Sequence, residues 1–182
     1  MPGRLSEMLL AGELDVAIMA RPDGFPAPLR ANSLYEERFM VACGQLHDFA
    51  CLNAVRMRDM AGQIYLQRIN CEYRDHLADL LRAQGTEILR SHRSEREDWI
   101  QSMVVAGMGV CFLPEFSATL PGISLLPVLD PVVARQVCLV TVAGRRWSPP
   151  LAALVAALNQ YAWPPSRFDL GEDRPAELPL PA

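Results

Sequence analysis

The segment Ser94–Phe116, SEREDWIQSMVVAGMGVCFLPEF, constrains the fold most, because it predicts a helix, a turn and a buried strand in direct succession. Ser94 followed three residues later by Glu97 is the capping-box pattern, so the helix is predicted to begin at Ser94. Apolar residues then recur at helical spacing as far as Gly107, which predicts the helix end. The apolar run Val110–Leu113 is typical of a short buried strand. Such a unit needs further strands and helices around it.

The Gly-Met-Gly turn between this helix and strand has two interpretations. It is either a structural turn inside an ordinary helix–strand unit, or a place where the backbone N–H groups of Gly107–Val110 stay open to a small ligand. The second interpretation makes Met108 and Gly109 candidate ligand-binding residues.

The rest of the chain alternates short apolar runs with amphipathic stretches, which favours an α/β fold with mostly parallel sheets. The predicted strands are Leu14–Met19, Leu34–Cys43, Gln63–Arg68, Glu87–Ser91, Ile123–Leu129 and Val137–Ala143. The other predicted helices are Met1–Ala11, one capped by Asn70 that ends at Gly85, and one that begins after Ser148–Pro149. From Pro164 on, the sequence is rich in proline and is predicted to be disordered.

Composition narrows the class of protein. The chain of 182 residues is 51% hydrophobic with a net charge of −4, which supports a sizeable core and argues against a polyanion binder. No stretch is long enough to span a membrane and no signal-peptide pattern opens the chain, so a cytoplasmic protein is expected. The five cysteines are scattered and odd in number, which favours reduced thiols. No hydrolase or zinc-protease motif occurs, so we expect no enzyme, no metal and no cofactor.

Ligands of parallel sheets bind beyond the carboxyl ends of the strands. Residues that follow predicted strand ends are therefore candidate ligand contacts: Arg21, Asn70, Cys71 and Arg74. Cys71 is also the one candidate for a reactive thiol, because a helix N-terminus and nearby arginines favour thiolate. The alternative is that Cys71 is a small packing residue. Arg135, before the last strand, is either a contact for an anionic ligand or a solvated turn charge.

Four stretches in order resemble the inducer-binding domain of LysR-type transcriptional regulators: LLAGELDVAI, LYEERFMVAC, VAGMGVCFLPE, and VCLVTVAG before Ser148. The resemblance implies a two-lobed fold like the type II periplasmic binding proteins, with the inducer between the lobes. It places residues 1–43 and 130–163 in a first lobe, 44–129 in a second lobe and 164–182 in a disordered tail. It also implies that the helix-turn-helix reader and the start of the first lobe are missing from this chain.

We therefore expect the small-molecule sensing domain of a LysR-type regulator. Its ligand contacts are predicted to be Arg21, Asn70, Cys71, Arg74, Met108 and Gly109. The partners expected are a small-molecule inducer and, in the full-length form, further copies of the protein, with no direct DNA contact by this chain and no membrane. Two alternatives remain open, a thiol redox sensor built on Cys71 and a free-standing solute-binding protein.

Overall fold

The computed structural model describes residues 2–167, apart from the side chains of residues 2, 90 and 91. Residues 168–182, most of the tail predicted to be disordered, lie outside the described residues. The strands are β1 (Ala17–Met19), β2 (Leu29–Gly44), β3 (Ile64–Arg68), β4 (Leu89–Ser94), β5 (Cys111–Pro114), β6 (Ile123–Pro127) and β7 (Ala134–Val142). The helices are α1 (Pro2–Ala11), α2 (Arg74–Ala83), α3 (Glu97–Val105) and α4 (Pro149–Gln160), with 3-10 turns at Asp48–Cys51, Met57–Met60 and Glu115–Ser117.

The chain packs as two compact units. Among the described residues, unit 1 comprises those up to Glu37 and Arg135–Pro165, and unit 2 comprises Arg38–Ala134 together with Ser166 and Arg167. The changeovers therefore fall inside β2, at the start of β7 and after Pro165. The predicted lobes change at 43/44 and 129/130, a few residues away.

Unit 1 holds β1 and β7, the first part of β2, and helices α1 and α4. Strand β1 pairs antiparallel with β7, with Ala17 opposite Val140 and Met19 opposite Cys138. These side chains form a buried cluster with Leu9 of α1. Leu9, which is fully buried, thus fixes the face that α1 turns toward the core of unit 1.

The C-terminal end of α1 and the N-terminal end of α4 follow local sequence rules. Helix α1 ends where the N–H of Gly12 donates to the Leu9 carbonyl and the N–H of Glu13 donates to the Met8 carbonyl. Gly12 has φ 81°, a conformation typical of a glycine that ends a helix. Arg145, after β7, adds a guanidinium that donates to the Leu9 carbonyl at 2.7 Å. The predicted Ser148 cap of α4 is confirmed by its side chain, which accepts from the Leu151 N–H.

Unit 2 is built on the apolar second half of β2. Phe39–Cys43 is at most 1% exposed, as expected for a strand covered on both faces. Strands β5 and β6 pair antiparallel with it, and β3 pairs in parallel with β4. Helix α3 packs against β3, β4 and β6. The prediction of mostly parallel sheets is therefore confirmed only in part: β3 and β4 run parallel, whereas β5 and β6 run antiparallel to the long strand β2.

The two helices of unit 2 begin later than predicted. Helix α3 starts at Glu97, because Ser94 is the last residue of β4, so the predicted capping box does not form. Helix α2 starts at Arg74 after an uncapped Tyr73, because the Asn70 amide instead donates to the Glu95 carbonyl at 3.3 Å. In both cases, pairing with a distant part of the chain replaces the local cap.

Candidate functional site

An ion pair marks the carboxyl end of β3. The Nε and Nη2 atoms of Arg68 donate to Oε2 of Glu97 at 2.8 and 2.6 Å, and Nη1 donates to the Phe112 carbonyl at 3.3 Å. Burial opposes the charge of Arg68, but the Cys71 sulfur and the Glu97 carboxylate outweigh burial and raise the pKa of the guanidinium. A permanent, nearly buried cation therefore sits at this strand end.

The connection from β3 to α2 carries three of the predicted ligand residues. Asn70 is exposed and Cys71 is half-buried. The Nε and Nη2 atoms of Arg74 donate to both carboxylate oxygens of Asp75 at 2.8 and 3.0 Å, and its Nη1 donates to the Ile69 carbonyl at 3.2 Å. We call Arg68, Asn70, Cys71, Arg74 and Glu97 the β3-end cluster.

Sequence reasoning found three of these five residues from the strand end alone. It missed the role of Glu97, which was assigned to a helix cap, and treated Arg68 only as a neighbour of Cys71. The two partners are 29 residues apart, so no local pattern links them. An arginine at a strand end with a glutamate at a later helix start was the available signal.

Cys71 lies outside the helix N-terminus, contrary to the prediction, because α2 begins three residues later at Arg74. Its peptide N–H turns back to the Arg68 carbonyl at 3.4 Å. The buried thiol of Cys111 in β5 lies within electrostatic reach of Cys71, and burial raises the pKa of Cys111 to about 12. Such a thiol stays protonated at neutral pH and is therefore a poor redox partner for Cys71, so the redox alternative is not favoured.

The predicted Gly-Met-Gly site lies at the other end of β3. The N–H groups of Gly107 and Met108 bond back to carbonyls of α3, both at 3.0 Å, and the N–H of Val110 bonds to the Ile64 carbonyl at 2.9 Å. Gly109, at φ 155°, lies so close to Ile64 that an added Cβ would collide with its carbonyl oxygen. The interpretation that the backbone N–H groups of this turn stay open to a ligand is therefore wrong for Gly107, Met108 and Val110.

Met108 and Gly109 are therefore not brought together with the β3-end cluster. They lie beside Ile64, the first residue of β3, and a strand of this length places Arg68 about 13 Å further along. The physical reason is that the turn precedes the strand it leads into, and that strand runs in the same direction as β3. The assignment of these two residues to a ligand stays a prediction.

A cavity of about 500 Å³ lies in unit 2 near this turn. It is lined by Gly44–Asp48, by Val105–Gly107 at the end of α3 and by Gly122. None of the predicted ligand residues lines it. His47 cannot offer its Nδ1 atom there, because that atom already accepts from the Phe49 N–H at 3.1 Å.

In unit 1, Arg21 follows β1 in a turn, where its carbonyl accepts the Gly24 N–H at 3.4 Å, and its side chain is half-buried. The sequence left two interpretations of Arg135, a contact for an anionic ligand and a solvated turn charge, and its position fits neither. Its Nε and Nη2 atoms donate to Oε1 of Glu37 at 2.9 and 2.7 Å, and the Glu37 side chain is only 1% exposed. Arg135 is therefore the partner of a buried carboxylate.

Within residues 2–167, no three histidine, cysteine, aspartate or glutamate side chains are grouped closely enough to hold a metal ion. No helix in that part of the chain is both long and apolar enough to cross a membrane.

Comparison with known proteins agrees with this architecture. The C-terminal domain of a probable LysR family transcriptional regulator from Rhodococcus sp. RHA1 is similar, with a TM-score of 0.75 and 23% identity over 86% of this chain and 79% of that chain. The effector binding domain of QuiR in complex with shikimate gives 0.75 and 17% identity, over 87% and 76% of the two chains. The Synechocystis PCC6803 CcmR regulatory domain in complex with 2-PG gives 0.74 and 15%, over 86% and 77%.

At these identities the structures show the fold, which confirms the predicted two-lobed class. No protein among the curated sequences compared is significantly similar to the chain. The family model described as LysR substrate binding domain matches residues 1–163. Because that match covers most of the sequence and the fold agrees with it, the chain belongs to the LysR substrate-binding domain family.

Proposed function

We propose that this chain senses a small molecule for a LysR-type transcriptional regulator, and that the β3-end cluster contributes to the binding site. The observation that carries the proposal is the convergence of Asn70, Cys71 and Arg74 at the carboxyl end of β3, beside the Arg68–Glu97 ion pair. Strand ends of α/β sheets are where such folds bind ligands. Arg21, in unit 1, stays a predicted contact, whereas Met108 and Gly109 are left out because they lie at the opposite end of β3.

The donors of the cluster favour a ligand with an anionic group and a hydroxyl. Arg74 carries the accessible cation, since its side chain is 35% exposed. Its hydrogen bond lowers the pKa of Asp75, so the ligand anion would exchange for a carboxylate that is ionised at neutral pH. Asn70 uses its amide N–H on Glu95, which leaves its side-chain oxygen for a ligand hydroxyl.

This role needs no chemical step in the chain, so we propose that it is not an enzyme. Binding would act by favouring one arrangement of the protein over another. We place the protein in the cytoplasm, as part of a homo-oligomeric regulator whose DNA contacts come from other residues. The net charge of −4 supports that division, because DNA contact requires a basic surface.

The test is a thermal-shift screen with small organic anions, beginning with shikimate and 2-PG, the ligands present in two of the similar structures. A ligand at 100 times its Kd adds about 2.7 kcal/mol to the free energy of unfolding. For a protein of this size that raises Tm by about 5–11 °C.

Arg74→Ala should abolish most of that shift. Arg82→Ala is the matched control, because Arg82 lies on the same helix in an exposed pair with Asp79 at 2.6 Å. Equal Tm shifts in both variants would show that the β3-end cluster does not bind the ligand.

A further inference from the structure

A cavity in unit 2 borders the C-terminal end of α3 and takes no part in the function proposed above. Its volume of about 500 Å³ lies within the range of small-molecule sites. Most of its wall comes from two segments, Gly44–Asp48 at the end of β2 and Val105–Gly107 at the end of α3, and Gly122 adds to it. We call it the α3-end cavity.

The end of α3 presents two carbonyl groups at this cavity. The N–H groups of residues 106–108 donate to carbonyls that precede Val105, each at 3.0 Å. The carbonyls of Val105 and Ala106 receive none of these hydrogen bonds, as is usual for the last carbonyls of a helix. The aligned peptide dipoles also give this end of a helix a charge of about −0.5. Two acceptors and a partial negative charge therefore border the cavity.

Gly44 keeps this end of the helix uncovered. A Cβ at position 44 would lie 2.8 Å from the carbonyl oxygen of Val104 and 3.5 Å from that of Val105. The first distance is too short for a contact between nonbonded atoms, so a larger residue would force the strand and the helix apart. A glycine permits this close approach of backbone to backbone and adds no side chain that would cover the Val105 oxygen.

The wall formed by Gly44–Asp48 is fixed by its own contacts. The N–H of His47 donates to the Gly44 carbonyl at 3.0 Å, and its Nδ1 accepts from the Phe49 N–H at 3.1 Å. The ring of His47 packs edge-on against that of Phe49 at 4.8 Å, and Phe49 is only 6% exposed. The cavity is therefore formed without a ligand, as is usual for small-molecule sites.

The lining residues favour a positively charged organic ligand. Asp48 has an exposed side chain and contributes a carboxylate, whereas no arginine or lysine is among the described residues that line the cavity. Apolar surface is also present, because Leu46 is fully exposed and Val105 is 42% exposed. One carboxylate and two carbonyls are too few oxygens for Ca²⁺, which takes about six to eight.

We propose that the α3-end cavity is a second small-molecule site, which binds a primary ammonium group attached to an apolar group. The three N–H donors of an ammonium match in number the carbonyls of Val105 and Ala106 and the carboxylate of Asp48. The side chains of Leu46 and Val105 cover the apolar group. The site thus takes ligands of the opposite charge to those of the β3-end cluster.

The test is a ¹H–¹⁵N NMR titration of the full chain with 2-phenylethylammonium, 2-phenylethanol and 3-phenylpropanoate, which share an apolar group and differ in charge. We expect the ammonium to cause saturable amide shifts at Gly44–Asp48 and Val105–Gly107. Its Kd should be at least about threefold lower than that of the alcohol, as expected for one partly exposed charge pair. The carboxylate should leave these amides unshifted. No saturable shift at these residues, or equal Kd values for the ammonium and the alcohol, would overturn the proposal.

Two variants test the residues assigned to the site. Asp48→Asn should raise the Kd of the ammonium about threefold, because it removes the charge and keeps the size of the side chain. Asp15→Asn, at an exposed aspartate of unit 1, is the matched control and should leave that Kd unchanged. Leu46→Ser should raise the Kd of both the ammonium and the alcohol, since it removes apolar surface from a fully exposed position.

An Asp48→Asn variant that binds the ammonium as tightly as the Asp15 control does would overturn the assignment of the charge. The amides that are followed belong to residues outside the β3-end cluster. The result is therefore independent of the ligand screen that tests that cluster.

Discussion

Replacing Glu37 by leucine is expected to destabilise the protein strongly, because it removes the carboxylate that pairs with the guanidinium of Arg135. Two nitrogens of Arg135 donate to one oxygen of Glu37, at 2.9 and 2.7 Å. The Glu37 side chain is 1% exposed and that of Arg135 is 15% exposed. The variant therefore leaves a charge with little access to water and without its carboxylate partner.

The size of the effect follows from this burial. Removing one partner of a buried ion pair costs about 3–5 kcal/mol, out of a total stability of about 5–15 kcal/mol. Because Arg135 keeps some contact with water, the lower end, about 3 kcal/mol, is expected. For a protein of this length, that corresponds to a Tm decrease of about 6–12 °C.

The assay is urea unfolding of a double-mutant cycle, followed by circular dichroism and by tryptophan fluorescence to test for a single transition. Glu37→Leu and Arg135→Met should each be destabilising, whereas the double variant should regain most of the loss, since it buries no unpaired charge. Arg56→Met is the control, because its pair with Asp130 is 3.9 Å long and both side chains are about half exposed. That change should cost less than about 1 kcal/mol.

The reasoning would be refuted if Glu37→Leu cost no more than the Arg56 control. It would also fail if the double variant were as unstable as the sum of the two single variants, because the charges would then not depend on each other.

Three further predictions concern the thiols and a glycine of unit 2. Burial raises the pKa of Cys111 from 9.0 to about 12, so the folded state holds this proton more tightly than the unfolded chain. The stability that this protonated thiol contributes is complete below about pH 9 and is lost as pH rises toward 12. The urea midpoint should therefore fall above about pH 9, and it should fall less steeply with pH in Cys111→Ala. An equal decrease of the midpoint with pH in both proteins would contradict this. The exposed Cys51 should be alkylated before the half-buried Cys71, as followed by mass spectrometry; faster reaction of Cys71 would mean that its setting activates it. Gly109→Ala should lower the free energy of unfolding, measured by chemical denaturation, by about 3 kcal/mol or more, because its Cβ would collide with a carbonyl of β3. Gly62→Ala, which has open space around it, should lower it by about 1 kcal/mol. Equal losses in the two variants would refute the collision.

Elements governed by neighbouring residues were predictable from the sequence. Gly12 stops α1 and Ser148 caps α4 because the groups they satisfy lie within a few residues. The continuous apolar run Phe39–Cys43 is likewise readable from the sequence, and such a run is typical of a strand buried on both faces, as these residues are.

Elements governed by distant residues were not predictable. Ser94 has the sequence context of a helix cap but pairs with Arg68 in the β3–β4 ladder, so α3 starts later. Asn70 resembles a cap but bonds to Glu95, 25 residues away. The propensity of a residue to cap a helix depends on its neighbours in the sequence, whereas the contacts of Ser94 and Asn70 are determined by tertiary packing.

The candidate site divides in the same way. The strand-end rule located Asn70, Cys71 and Arg74, because it depends on the end of one predicted strand. The ion pairs Arg68–Glu97 and Arg135–Glu37 join residues 29 and 98 positions apart, and no sequence pattern predicts either pair.

The bond between Arg145 and the end of α1 has a consequence for synthesis of the chain. The guanidinium that completes the first helix lies 136 residues after the carbonyl it binds. At ribosomal rates of about 5–20 residues per second, α1 waits roughly 7–27 s for that partner. The second half of β2 and all of β3–β6, which belong to unit 2, are made in the meantime. Unit 1, whose residues precede and follow 38–134 in the sequence, therefore cannot be completed until that main part of unit 2 has been synthesised.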